Sequence, residues 1–86
     1  MTTLGQLKTM NDPAIQHWLR KVEIAGVMTL VYALFGADDE VKNCVFRNMS
    51  LHAANAVKAD LERFKKMNIT ESEINENSTK LEKLLD

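Results

Sequence analysis

The sequence is poor in cysteine, proline and glycine, with one, one and three of them among 86 residues. A lone Cys44 excludes an internal disulfide and fits a reducing compartment. So little Pro and Gly leaves few turns, which favours helices joined by tight corners. Neither sign of charge dominates. The formal net charge is −1, so there is no electrostatic basis for binding nucleic acid or an anionic membrane. Long hydrophobic runs are missing as well. The longest, Val27 to Phe35, is interrupted by Thr29 and falls far short of the ~20 residues of a membrane span. The opening Met1-Thr2-Thr3-Leu4-Gly5-Gln6 has neither the basic region nor the apolar run of a secretory signal. The chain is therefore read as cytoplasmic, without direct membrane insertion. Asn48-Met49-Ser50, Asn68-Ile69-Thr70 and Asn77-Ser78-Thr79 then match the glycosylation acceptor pattern by chance.

Residues that carry chemistry are equally sparse. His17, His52 and Cys44 are separated by spacings that suit no metal motif, and Cys44 has no base nearby in sequence. There is no glycine-rich phosphate loop and no nucleophile elbow. Asp38-Asp39-Glu40 lacks the alternation of a calcium loop and reads as the acidic start of a helix. These absences argue against an enzyme and against any cofactor, and leave protein binding as the expected activity.

What is present is helical periodicity. Leu4, Leu7 and Met10 recur every third residue and suit a short first helix. Pro13 pushes its predecessor out of the helical region, so Asp12 is the expected N-cap of a second helix, with Ile15, Trp18, Leu19 and Val22 on its inner face. Glu23 to Leu34 reads as one further helix, apolar nearly all round through Ile24, Val27, Met28, Leu30, Val31 and Leu34, and is placed at the centre of the core. Gly36 sits where a left-handed C-terminal cap is expected. A fourth helix follows, burying Val41, Val45, Phe46 and Met49. Ser50 caps a fifth, with the stripe Ala54, Val57, Leu61 and Phe64. Thr70 and Glu73 form a capping-box pattern that opens the last helix. That helix has a thin stripe of Ile74, Leu81, Leu84 and Leu85 and weak helix formers from Asn75 to Thr79, so its first half is expected to fray. Met10, Met28, Met49 and Trp18 are read as core residues. The expected fold is all-α: about six short helices linked by tight corners and stacked like a helical repeat, forming one domain over residues 1–86.

Two stretches are more specific than periodicity. One runs Asn11-Asp12-Pro13-Ala14-Ile15-Gln16-His17-Trp18-Leu19-Arg20-Lys21-Val22. The other runs Ala33-Leu34-Phe35-Gly36-Ala37, then Val45-Phe46-Arg47-Asn48-Met49-Ser50-Leu51-His52-Ala53-Ala54 and Lys58-Ala59-Asp60-Leu61-Glu62. Together they resemble the C-terminal domain of the flagellar motor switch protein FliG, over about Leu4 to Leu85. The Arg-Asn-Met-Ser-x-x-Ala-Ala block is the most distinctive part. The resemblance implies a six-helix, armadillo-like rotor domain, a right-handed helical stack, that engages the cytoplasmic loop of the stator protein MotA, or other rotor and switch proteins, at the cytoplasmic face of the flagellar basal body. It also implies a chain ending slightly before the family's last helix does.

In that family the helix opened by the Ser of Asn-Met-Ser carries the partner-binding charges. Here it is the fifth helix, Ser50 to about Met67. A helical wheel places His52, Asn55, Ala56, Ala59, Arg63 and Lys66 opposite its buried stripe, with Asp60 and Glu62 at the flanks. The partner-binding positions aligned with the family are Phe35, His52, Asn55, Ala59, Asp60, Arg63 and Asn68. Their chemistry departs from the family pattern. Phe35 stands for a Lys, His52 for an Arg, Ala59-Asp60 for a pair of acids and Asn68 for an Arg. Lys65-Lys66 replaces the Gly-Pro that ends the helix, and Met1-Thr2-Thr3-Leu4 replaces the aromatic Met-Phe-x-Phe hinge. His52 restores a positive charge only when protonated. The resemblance therefore implies a divergent or paralogous rotor-type module with weak electrostatic steering toward an ordinary stator. The alternative is a stand-alone helical adaptor of the same fold that takes no part in torque generation.

Overall fold

Residues three apart line up on one side when the backbone turns once every three residues, and the chain opens in that way. Leu4 and Leu7 are buried along a 3₁₀ helix, Leu4–Thr9, with Met10 packed partly against the core beyond it. The computed structural model describes residues 4–85. After the 3₁₀ helix come five α-helices: α1 (Asp12–Ala25), α2 (Val27–Phe35), α3 (Asp39–Arg47), α4 (Leu51–Phe64) and α5 (Glu71–Lys83). No strand occurs among the described residues. The fold is the expected all-α arrangement of six helical elements. Met1, Thr2 and Thr3 of the altered hinge segment lie outside the described residues.

α2 is the centre of the structure. It packs most extensively on α5 and also contacts α1 and α4. Leu30, Val31, Ala33 and Leu34 are all but inaccessible to solvent there. The indole of Trp18 is buried between α1 and the end of α5, and its Nε1–H donates to the Leu81 carbonyl at 3.0 Å. That bond satisfies the only polar atom of an otherwise apolar side chain. Tyr32 and Phe35 of α2 meet Phe64 of α4, with ring centroids 4.8 and 5.8 Å from it. No polar or charged residue is buried among the described residues, so apolar packing holds the core.

Caps fix where each helix begins. Asp38 accepts from the Val41 N–H at 2.9 Å, and Asp39 and Glu40 fill the first turn of α3. The other oxygen of Asp38 pairs with Lys8 at 2.7 Å and ties the opening helix to α3. Thr70 and Glu73 complete the expected capping box. α5 is continuous through its Asn-rich stretch, where Asn77 and Thr79 donate to the Glu73 and Asn75 carbonyls.

Four expectations are corrected. The N-cap of α1 is Asn11, whose side chain accepts from the Ala14 N–H at 3.0 Å and whose carbonyl accepts the first helical bond, from Ile15. Asp12 is already helical, which frees its carboxylate for Arg47 and Asn48. The predicted helix Glu23–Leu34 does not exist as one piece. Gly26, at φ 125 and ψ 126, ends α1 and starts α2 in a conformation open only to glycine. The break turns Ile24, Val27 and Met28 outward, so these three are surface residues. Gly36 is not left-handed but lies at φ −95, ψ −1. What requires glycine there is the close approach of α5, since a Cβ would come within 2.5 Å of Ile74 Cγ2.

Candidate functional site

α4 is held by one face and offers the other. Ser50 Oγ accepts from the Ala53 N–H at 3.1 Å and fixes its start. Ala54, Val57, Leu61 and Phe64 are buried, as the spacing predicts. The helix ends at Phe64 rather than near Met67. Lys66 and Met67 bond back three residues, to Arg63 and Phe64, and tighten the chain out of the α-helix.

The family-aligned positions divide into three groups. His52, Asn55, Ala59 and Arg63 share the exposed side of α4. Asp60 is turned toward α1, with its side chain only 18% exposed, and forms an ion pair with Arg63 one turn further on. Phe35 and Asn68 lie off this face. Asn68 is exposed beyond the helix end. Phe35, expected to be exposed, is half-buried with its ring edge against Phe64. An aromatic ring at that position gains more by packing on Phe64 than by facing water.

The charge on the outer face is largely self-satisfied. Arg63 is taken up by Asp60, and Glu62 pairs with Lys65 at 2.8 Å, which holds the Glu62 carboxyl below its usual range. On the α3 side, Lys58 lies over the Phe46 ring, 5.0 Å from its centroid. Few full charges are left free to steer a partner.

A second feature was not anticipated from sequence. α1 and α4 pack little on each other directly, and a cleft of about 490 Å³ lies between them. Its walls include Arg20 and Glu23 from α1 and Ala53, Ala56 and Asp60 from α4, with Val27 and Leu30 of α2 between them. The small side chains of Ala53 and Ala56 keep it open, and they are the signal that could have revealed it. A polar knot closes one end. Asn48 donates to Asp12 at 3.1 Å and to the Cys44 carbonyl at 2.8 Å, and accepts from Gln16 at 3.1 Å. Arg47 bonds the same Asp12 oxygen at 2.9 Å. The Asn48 and Arg47 donors hold the Asp12 carboxyl below its usual 3.8, and the Asp12 carboxylate in turn raises Arg47. No cluster of three or more His, Cys, Asp or Glu able to hold a metal occurs among the described residues. Cys44 is half-buried against the core, and among the described residues no helix is long and apolar enough to cross a membrane.

The family model described as FliG C-terminal domain matches residues 1–81. The solved structure of full-length FliG from Aquifex aeolicus is similar to this chain with a TM-score of 0.86 at 26% identity. The match covers 99% of this chain and 25% of that one, so the chain spans about a quarter of that protein's length. No curated protein matches significantly.

Proposed function

The chain belongs to the FliG C-terminal domain family, and from that premise we propose that it is a protein-binding module of the flagellar rotor and switch type, working through the outer face of α4. One observation carries the reading. The helix that the family resemblance singles out presents His52, Asn55, Ala59 and Arg63 to solvent from a firmly buried opposite stripe. A rigid helix with a free face suits recognition of a helical protein partner, because the contact residues are held in place before binding. The module acts by contact rather than by catalysis. Its partner is a stator cytoplasmic loop or another rotor or switch protein, met at the cytoplasmic face of the flagellar basal body.

The charges qualify how it engages. With Arg63 drawn onto Asp60, the face keeps little long-range attraction for an oppositely charged loop. An exposed ion pair contributes at most about 1 kcal/mol, so an electrostatic interface needs several pairs acting together. The same observation favours a second reading, a stand-alone adaptor of this fold outside torque generation. Titrating the chain with a stator loop peptide and with switch proteins, at low and high salt, tests both. The first reading expects binding that changes less than about threefold with salt and weakens on His52→Glu. Tight, salt-sensitive binding to the stator loop that is lost on Asp60→Ala contradicts the weak-steering argument. Binding to neither class of motor protein leaves the adaptor.

A further inference from the structure

α4 is held unevenly along its length. Its second half is anchored. Val57, Leu61 and Phe64 join the main core, and the Phe64 ring meets Tyr32 and Phe35 of α2. Its first half is not. From Leu51 to Ala56 only Ala54 is buried, and it contributes a single methyl. Among the described residues α4 has an extensive helix contact with α2 alone. On the side toward α1, Ala53 and Ala56 face the cleft instead.

The polar knot places the Ser50 end of α4 beside α1. Asn48 caps the end of α3 and stands two residues before Ser50, the N-cap of α4. Across the gap, Asp12 accepts from Asn48 and Arg47, and Gln16 donates to Asn48. No backbone hydrogen bond joins α1 to α3 or α4 among the described residues. The bridging bonds all run between exposed side chains, where water competes for the same groups and each contributes little. We propose that the knot is a releasable latch and α4 a hinged helix. When Asp12 and Gln16 let go of Arg47 and Asn48, the α3–α4 corner moves away from α1 and the cleft widens from its Asn48 end. The Phe64 end stays on α2.

Two contacts allow this without unfolding. Lys58 over the Phe46 ring ties α4 to the end of α3, so the corner moves as one body. Met49 at the corner lines the cleft, and its unbranched side chain can follow the floor as the gap changes. An opening that breaks a few exposed bonds rather than core contacts belongs to the low-energy end of local motions. If the outer face of α4 meets a partner, as proposed above, the latch sets the tilt of His52 and Asn55 at the moving end against Arg63 at the anchored one. A partner that binds one tilt better shifts the balance between latched and open.

Distances between nitroxide labels on the full chain, measured by pulsed electron resonance in a Cys44→Ala background, test the latch with no partner present. Labels at His17→Cys and His52→Cys span the latched end. Labels at Ile24→Cys and Glu62→Cys span the anchored end, and all four positions are exposed. Asp12→Ala should raise a longer-distance population roughly tenfold for the first pair and leave the second pair unchanged. Asn48→Ala should do the same from the other side of the knot. Combining the two should add little, because both release one latch. Far-UV circular dichroism checks that the helices are retained. A first pair that responds to neither variant overturns the proposal, and so does an equal shift of both pairs. Either failure leaves the partner-binding reading of α4 standing, and failure to bind a motor protein leaves the latch standing.

Discussion

Replacing Gly36 by alanine separates two physical reasons for a glycine. At φ −95 and ψ −1 the backbone suits any L-residue, so removing glycine's extra freedom in the unfolded chain favours the variant by about 0.4–1 kcal/mol. Against that, the new methyl would sit 2.5 Å from Ile74 Cγ2, with Ile74 Cδ1 and Cβ at 3.6 and 3.7 Å. Cγ2 is carried on the β-carbon of a β-branched helical residue with a stiff χ1, so it cannot swing away. Relief requires α5 to move off α2, the most extensive helix contact in the fold. Overpacking of this kind costs about 1–3 kcal/mol. The net expectation for Gly36→Ala is a loss of about 1–2 kcal/mol, or roughly 5–15 °C in Tm for a domain of this size. Urea and thermal unfolding of Gly36→Ala, Ile74→Ala and the double variant give the coupling. The penalty should largely vanish in the Ile74→Ala background. A neutral or stabilising Gly36→Ala, or an equal penalty in both backgrounds, refutes the steric account.

Gly26→Ala should fail for the opposite reason. Its Cβ meets nothing closer than Thr29 Oγ1 at 4.0 Å, so the loss of about 1–3 kcal/mol is purely conformational and Thr29→Ala, measured by the same unfolding, should not relieve it. Trp18→Phe deletes the indole donor to the Leu81 carbonyl, which keeps the Leu84 N–H, and should cost about 0.5–1.5 kcal/mol from that bond alone, followed by circular dichroism because the only tryptophan is lost. Asp12 and Asp38 both have carboxyls held below the usual 3.8, the first by Asn48 and Arg47, the second by Lys8. Depressed values in the folded state mean their contribution is present above about pH 3.8 and is lost as pH falls through the lower folded values. Tm should therefore drop in that acid range, and less steeply in Asp38→Asn, which keeps an N-cap acceptor for Val41 but loses the charge facing Lys8.

The sequence disclosed those features in which a repeat of residue types has one physical meaning. The 3-4-3 spacing of Ala54, Val57, Leu61 and Phe64 is such a case, as are the Thr70–Glu73 box, the acidic start of α3 and the burial of Trp18. It misled where a residue type has several meanings. Gly26 inside an apolar pattern reads as a tolerated helical glycine, because nothing in the letters reveals a positive φ. Leu30, Val31 and Leu34 belong to the core as expected, yet Ile24 and Met28 carry the same chemistry and face water. Gly36 does what glycine often does at a helix end, but through contact with Ile74, nearly forty residues away in the sequence. Both Asn11 and Asp12 can cap a helix, and only the bonds from Ala14, Arg47 and Asn48 divide the roles. The cleft depends on how far α1 and α4 stand apart, a distance no local pattern carries.

α4 explains how 26% identity coexists with a TM-score of 0.86. Its position is set by Ser50 and the buried stripe, whereas its outer side contributes almost nothing to stability. Surface substitutions of that sort usually fall within about 0.5 kcal/mol of neutral. Exposed positions such as His52 and Asn68 can therefore vary without moving the helix. Phe35 is different in kind. It places its ring against Phe64, next to Tyr32, and so takes part in the packing of the core. Introducing lysine at position 35 would add a charge near α4 and strip an aromatic contact from its base. Charge and packing are therefore coupled at this one position, and a gain in partner binding by Phe35→Lys must be read against the stability lost with the ring.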